Sequence, residues 1–331
     1  MSKQLNISES VKIDPMKLVD SRMLINANSG GGKSWLIRVI AEQAAGMVQT
    51  IILDHEGEFS TLREKFDFLL AGPGGEIPAE VRSSNLLARK LLELQASAVV
   101  DMSAMKLPER RKFVRLFIES LMAAPKNLWH PLFLVLDEAH IYCPERSSGD
   151  AESSSAVIDL MSMGRKRSFC GILATQRLSK LHKDAEAEAN NVFIGRTWLD
   201  IDQKRACSLL GFGKEYHQTL RDMPAGQFFA FGPALSVQGV SEIQVARCVT
   251  THPRPGHRHN FSPPKPSDAV KRIVSELADL PQQAEAEIRN LEDAKKRINE
   301  LQRQVNAKPV PAAAAPPKVD MKAERDKWFQ D

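Results

Sequence analysis

The sequence has few cysteines, and they are badly placed for any chemistry. Cys143, Cys170, Cys207 and Cys248 are scattered through 331 residues without CxxC spacing or a histidine pair at ligand distance. That argues against a disulfide scaffold and a cysteine-based zinc site, and the four read as small buried residues of a reducing compartment. Long hydrophobic runs are also lacking: no stretch approaches the roughly 18 apolar residues of a spanning helix. The polar start "MSKQLNISES" has no apolar centre for a signal peptide. These absences lead to the expectation of a cytoplasmic protein with no membrane partner. An excess of one charge is missing too, since 45 basic and 41 acidic residues leave a net charge of +4. A surface that is basic all over is thereby excluded, and any nucleic-acid contact must be local. There is no internal repeat.

What is present is ordinary globular material, with 43% hydrophobic and 26% charged residues, in a chain long enough for one main domain and an appendage. Short continuous apolar runs, "MLIN", "TIILD", "SAVVD", "LFLVLDEAH", "GILATQ" and "VFIGRT", alternate with helical periodicity in "SWLIRVIAEQAA", "AEVRSSNLLARKLLELQ", "ERRKFVRLFIESLMAA" and "SSAVIDLMSM". Buried strands alternating with helices predict an α/β fold with a mainly parallel sheet and helices on both faces. "GQFFAFGPALSVQG" predicts a hairpin at the sheet edge.

The expected boundaries are an N-terminal segment over 1–17 and the α/β domain over 18–250. A proline-rich basic linker follows over 251–267, then a helical segment over 268–306 and a low-complexity tail over 307–331. In the helical segment Ile288, Leu291, Ala294, Ile298, Leu301 and Val305 recur at spacings of three and four, with a break near Pro281. The pattern fits either a short coiled coil or a single helix packed back on the core.

"ANSGGGKS", Ala27 to Ser34, follows an apolar run and opens a helical one. It matches the phosphate-loop pattern GxxxxGK[ST], with Ala27 in place of the first glycine. Small residues let successive backbone N–H groups turn inward around phosphate oxygens, and the helix N-terminus adds partial positive charge. The expected nucleotide-binding residues are Asn28, Ser29, Gly30, Gly31, Gly32, Lys33, Ser34 and Trp35. Lys33 bridges the β- and γ-phosphates of ATP in this reading, and the Ser34 hydroxyl holds Mg²⁺. "LFLVLDEAH" then supplies Asp137 at the end of a buried strand, as the second Mg²⁺ residue, and Glu138 beyond it, to polarise the attacking water. Two acids ending a buried strand must otherwise be solvated or matched by a cation.

"GILATQR" sets Thr175 and Gln176 at another strand end, where Gln176 would sense both the γ-phosphate and the water; the other reading is a plain strand-to-loop polar residue. "MGRKRSF" clusters Arg165, Lys166 and Arg167 between these two strands. The cluster is either a solvated face or an arginine finger inserted into a neighbouring subunit's nucleotide site.

The ordered set "ANSGGGKS", "ILDHEGEF", "FLVLDEAH", "GRKR" and "LATQRLSKL", spanning about Leu18 to Val245, resembles the HerA side of the HerA/FtsK superfamily of ring-forming ATPases, which pump or unwind duplex DNA. The resemblance implies a RecA-like P-loop core, a hexameric ring with ATP between subunits, and Arg165 or Arg167 as the finger acting in trans. It also implies that Asp54 and Glu58, in the second motif, support the water or metal; a polar turn after a strand is the competing reading. Family helicases carry an N-terminal β-barrel, whereas only some twenty residues precede the first strand here, so ring formation or DNA processing depends in this reading on a partner or on the C-terminal helix. Lys180 and Lys183, with Arg177 and His182, are candidate DNA contacts just past the sensor strand. The linker residues Arg254, His257, Arg258 and His259 are a second set. Two functions remain open: a DNA translocase, or a ring that scaffolds and regulates a partner effector such as a nuclease. A monomeric nucleotide switch is disfavoured, because the arginine cluster would then have no acceptor site.

Overall fold

The computed structural model describes residues 4–145, 151–252 and 264–307. It divides into two units, residues 1–284 and residues from 285 onward. Arg254, His257, Arg258 and His259 of the linker, and the tail from 308, lie outside the described residues, as do the side chains of Ile288, Leu291, Ala294 and Val305.

Eleven strands occur among the described residues: β1 (Leu5–Asn6), β2 (Lys12–Ile13), β3 (Met23–Asn26), β4 (Gln49–Asp54), β5 (Leu69–Ala71), β6 (Ala98–Asp101), β7 (Leu132–Leu136), β8 (Phe169–Thr175), β9 (Asn191–Ile194), β10 (Gln227–Phe231) and β11 (Ser241–Gln244). Nine form one sheet in the order β11-β10-β9-β3-β8-β7-β4-β6-β5. The seven from β9 to β5 are parallel, and β10 and β11 continue the sheet antiparallel. The strand before the glycine loop, β3, is separated from the strand before the two acids, β7, by the sensor strand β8.

The apolar runs are strands because they are buried on both faces. Leu24, Ile51, Leu53, Leu134 and Leu173 point into one apolar cluster, and their neighbours Ile25, Ile52, Val135 and Ile172 into the other. This period of two consumes an all-apolar run. Helices Ser84–Glu93, Leu107–Met122 and Ser154–Met163 cover the first face, and helix Lys33–Ala44 covers the second.

The edge hairpin differs from expectation in its second arm. The strand Ser241–Gln244 pairs with β10, whereas "GPALSVQG" forms the connection. Residues before the first motif are packed in: Leu5, Ile7, Val11 and Ile13 are buried with Ile25 and Ile37, and Ala246 N–H donates to the Ile7 carbonyl. Near Pro281 the helical pattern does break. Helix Asp268–Glu276 ends at Leu277, and Pro281 falls in the first turn of helix Leu280–Ala307, where its missing N–H costs nothing. In the second unit Ile298 and Leu301 are exposed. Among the described residues, no helix is long and apolar enough to cross a membrane.

Candidate nucleotide site

Every parallel strand delivers its C-terminal end to the same edge of the sheet, the edge where open α/β folds bind ligands. There β3 runs into the glycine loop, β7 into Asp137 and Glu138, and β8 into Gln176. The loop's shape depends on glycine at two positions. Gly30 has φ +71° and Gly32 φ +102°, a region costly to side chains. A Cβ on Gly32 would stand 2.7 Å from the Gly226 nitrogen, because Gly226 N–H donates to the Gly31 carbonyl at 3.0 Å. Gly32 caps helix Lys33–Ala44 without a side-chain bond. The first-turn N–H groups are thus left for an anion.

Lys33 is buried, and its ammonium bonds to Asp137 and lies 3.0 Å from Glu138 Oε1. Burial works to lower the Lys33 pKa, but the two carboxylates outweigh it and hold the ammonium above its ordinary value. Burial pushes the Asp137 carboxyl up, with Lys33 acting against it. Gln176 Nε2 donates to Glu138 Oε1 at 2.6 Å, so the expected sensor and the expected water-polarising acid are in direct contact. Glu138 has a left-handed backbone, φ 52° and ψ 44°, a strain of roughly 1–3 kcal/mol for a residue with a side chain. The fold tolerates it where β7 turns the acid into the site.

Ser34 Oγ donates to Glu58 Oε2 at 2.7 Å, which brings Glu58 to the expected metal-binding hydroxyl. Asp54 does something else. It is fully buried, and its carboxylate accepts N–H bonds from Glu56, Gly57 and Phe59 at 3.2, 2.8 and 2.9 Å. It shapes the loop that presents Glu58. Burial, then Asp101 and Asp137, push its pKa up to about 8 against the N–H bonds that favour its ionised form. A hydroxyl and carboxylates make a hard oxygen set that fits Mg²⁺, an ion that keeps water and substrate phosphate among its ligands. Ser34 and Asp137 would hold the ion, with Glu58 beside them.

The loop's flanks are tied to neighbouring strand ends. Asn28 Nδ2 donates to the Gln176 carbonyl at 3.3 Å, and Asn28 Oδ1 accepts from Trp198 N–H at 2.6 Å. Ser29 is exposed. Trp35 Nε1 donates to the Ala246 carbonyl at 2.8 Å, and its ring meets His252 edge-on at 5.7 Å. A cavity of 240 Å³ is lined by Ser29, Gly30, Lys33, Ser34, Glu138 and Gln176, among others. A second, of 570 Å³, adjoins it at Gly30, Gly32, Trp35, Gly226 and Arg247.

Arg165 and Arg167 are not in this site. They lie in the turn Gly164–Arg167 before β8, at the far end of that strand from Gln176, about 20 Å away at 3.3 Å per residue. Arg165 is exposed, and the Arg167 guanidinium stacks over Trp129 at 5.4 Å. Lys180 and Lys183 are both exposed; Lys180 lines a neighbouring cavity with His140, whereas Lys183 starts helix Lys183–Ala187.

Three contributors escape sequence reasoning. Arg38 is fully buried and donates to the Glu58 carbonyl at 2.7 Å and to Thr250 Oγ1 at 3.0 Å; only its odd place inside an apolar helical pattern hints at this. His140 Nδ1 lies 2.9 Å from Thr175 Oγ1 and 3.4 Å from Glu138 Oε2. Burial, then Lys180, Lys33 and Arg177, push its pKa down to about 4. Arg196 reaches the Ser29 carbonyl at 3.4 Å.

The family model described as the central domain of helicase HerA matches residues 4–127, a stretch that holds the glycine loop and Asp54 to Phe59 and ends before β7. The plasmid coupling protein TrwB, solved with the GTP analogue GDPNP, is similar with a TM-score of 0.54 and 12% identity, covering 77% of this chain and 92% of that one. The genome packaging NTPase B204 from Sulfolobus turreted icosahedral virus 2, in complex with AMP, gives 0.48 and 15%, covering 68% and 97%. EssC from Geobacillus thermodenitrificans gives 0.43 and 14%, covering 99% of this chain and 55% of that one. No curated protein sequence matches the chain. The family match over residues 4–127, a mainly parallel sheet of RecA-like type and the motifs assembled along one sheet edge make this chain similar to HerA-like ATPases.

Proposed function

We propose that this ATPase works as one subunit of a ring, hydrolysing Mg²⁺-bound ATP between subunits and coupling turnover to movement along DNA. The placement of Arg165 and Arg167, at the opposite end of β8 from Gln176, carries the reading. Neither reaches its own site, which supports a role in a neighbour's.

ATP would enter with its phosphates against the Gly30–Gly32 backbone and the start of helix Lys33–Ala44. Lys33 would then exchange Asp137 and Glu138 for phosphate oxygens. That exchange frees Glu138 Oε1, still hydrogen-bonded to Gln176, to accept a proton from a water aimed at the γ-phosphate. When bound, Mg²⁺ supplies charge neutralisation at the phosphates. An arginine from the adjacent subunit would stabilise the charge that develops as the phosphoryl group transfers. Subunits closing and opening around ATP would deliver the stroke.

The test is steady-state ATP hydrolysis with and without long linear duplex DNA, with Glu138→Gln as the blank and sedimentation in ATP alongside. DNA-stimulated turnover by a ring is expected. Turnover indifferent to DNA would replace translocation with control of a partner effector, and a monomer in ATP would remove the trans arginine.

A further inference from the structure

Behind the nucleotide site is a cavity of 410 Å³ that shares none of its lining residues. Arg110, Arg111, Lys180, His55 and His140 supply its polar lining, and among the described residues no carboxylate lines it. The three cations are differently engaged. Arg110 spends its donors on the Met105 and Ser103 carbonyls, at 2.8 and 2.7 Å, and on His55, 2.9 Å from Nε2. It is therefore a fixed charge. Arg111 donates only Nε, to the Ile141 carbonyl at 3.0 Å. Its two terminal nitrogens, and the Lys180 ammonium, have no hydrogen-bond partner among the described residues. Arg111 comes from helix Leu107–Met122 and Lys180 from the turn Leu178–Lys180, so two free donors converge from separate elements. Burial, then Arg110, lowers the His55 pKa against the opposing pull of Asp137, Glu138 and Glu56, and burial, then Lys180, lowers that of His140. The charged side chains that line the cavity are all cationic.

We propose that this cavity binds a backbone phosphodiester of nucleic acid on Lys180 and Arg111, and that its occupancy is communicated to Glu138 through His140. The proposal rests on the DNA-translocase reading and adds where the strand is held. A phosphodiester offers oxygens to donors on two sides, while Met105, Leu107 and Ile141 line a wall suited to the sugar. Such contacts position a strand without reading its sequence, which is what a motor needs. His140 lines this cavity and Glu138 the other, 3.4 Å apart. A negative charge brought to Lys180 thus stands one side chain from the hydrolytic acid.

The experiment measures duplex affinity against salt by fluorescence anisotropy, with a non-hydrolysable ATP analogue present. Wild type is compared with Lys180→Gln, Arg111→Gln, the double variant, and Lys180→Arg. Each phosphate no longer neutralised lowers the slope of log K against log salt by about 0.9, so the double variant, which loses the one phosphodiester site, should lose about 0.9 while Lys180→Arg keeps the wild-type slope. Lys180 is exposed, so its substitution does not threaten the fold. A double variant with the wild-type slope and affinity overturns this site and leaves the translocase reading standing. A wild-type protein that binds no duplex overturns both.

Discussion

Replacing Lys33 by methionine should do more than prevent ATP binding. The ammonium is the one cation that contacts both Asp137 and Glu138 among the described residues, and all three side chains are at least 93% buried. Removing it leaves two acids facing each other without a counter-charge. Breaking such a pair by deleting one partner costs about 3–5 kcal/mol. Proton uptake limits that cost, since protonating a carboxyl of ordinary pKa near 3.9 at pH 7 takes about 4 kcal/mol. The variant should therefore be destabilised by about 4 kcal/mol at pH 7, a melting temperature lower by roughly 8–16 °C at about 2–4 °C per kcal/mol.

The pH dependence carries the diagnosis. With Lys33 gone, the folded state raises a carboxyl pKa above its unfolded value, so folding takes up a proton and stability falls as pH rises. The deficit should shrink by up to about 1.4 kcal/mol per unit on acidification from pH 7 to pH 5. A second substitution, Asp137→Asn, should restore most of the melting temperature of Lys33→Met at pH 7 while leaving ATP hydrolysis absent. Thermal melts of wild type, both single variants and the double variant across this range make the cycle. A deficit that is absent, or that stays constant with pH and is not repaired by Asp137→Asn, would refute the account of Lys33 as the counter-charge of Asp137 and Glu138.

Glu138→Gln should retain ATP binding and lose turnover by at least about 100-fold, as measured by fluorescent-nucleotide titration beside phosphate release. Undiminished hydrolysis would remove Glu138 from the reaction. Gly32→Ala combines a backbone cost of about 1–2 kcal/mol at positive φ with a Cβ placed 2.7 Å from the Gly226 nitrogen. It should lower the melting temperature and weaken nucleotide binding together, and wild-type values for both would contradict the described loop. His140 has a folded pKa of about 4 against an unfolded value near 6.5, so stability should fall as pH drops from about 6.5 toward 4, by about 2 kcal/mol at pH 5. His140→Asn should lose less stability than wild type between pH 7 and 5 in thermal melts; an identical loss would mean the imidazole is not held neutral.

The sheet was legible because its strands are covered on both faces, so each parallel strand of the core except the short β5 appears as an unbroken apolar run ending at a polar residue. The glycine loop, Asp137, Glu138 and Gln176 were legible for a related reason: their chemistry demands particular residue types just after those runs. Arg38 was barely so, because its partners Glu58 and Thr250 lie 20 and 212 residues away, and its place inside an apolar helical pattern does not say what it bonds. His140 escaped because its role comes from where β7 and β8 end side by side. For Asp54 the resemblance implies support of the water or metal, beside a competing reading as a polar turn after a strand. Its three backbone N–H partners come from the local turn of Glu56 to Phe59, and residue types alone do not choose between the two readings.

The bond between the Gly226 N–H and the Gly31 carbonyl spans nearly two hundred residues of chain, and the Trp35 and Arg38 contacts with Ala246 and Thr250 are equally distant. During synthesis the glycine loop emerges early and the segment that clamps it emerges late. A nascent chain that has made β3 through β8 therefore has a partial sheet and an unbraced loop. Contacts of such long separation form slowly, because the intervening chain must be ordered first. Nucleotide capture should accordingly begin only after residues 226–250 have left the ribosome, and it would then favour the finished fold over its precursors by mass action.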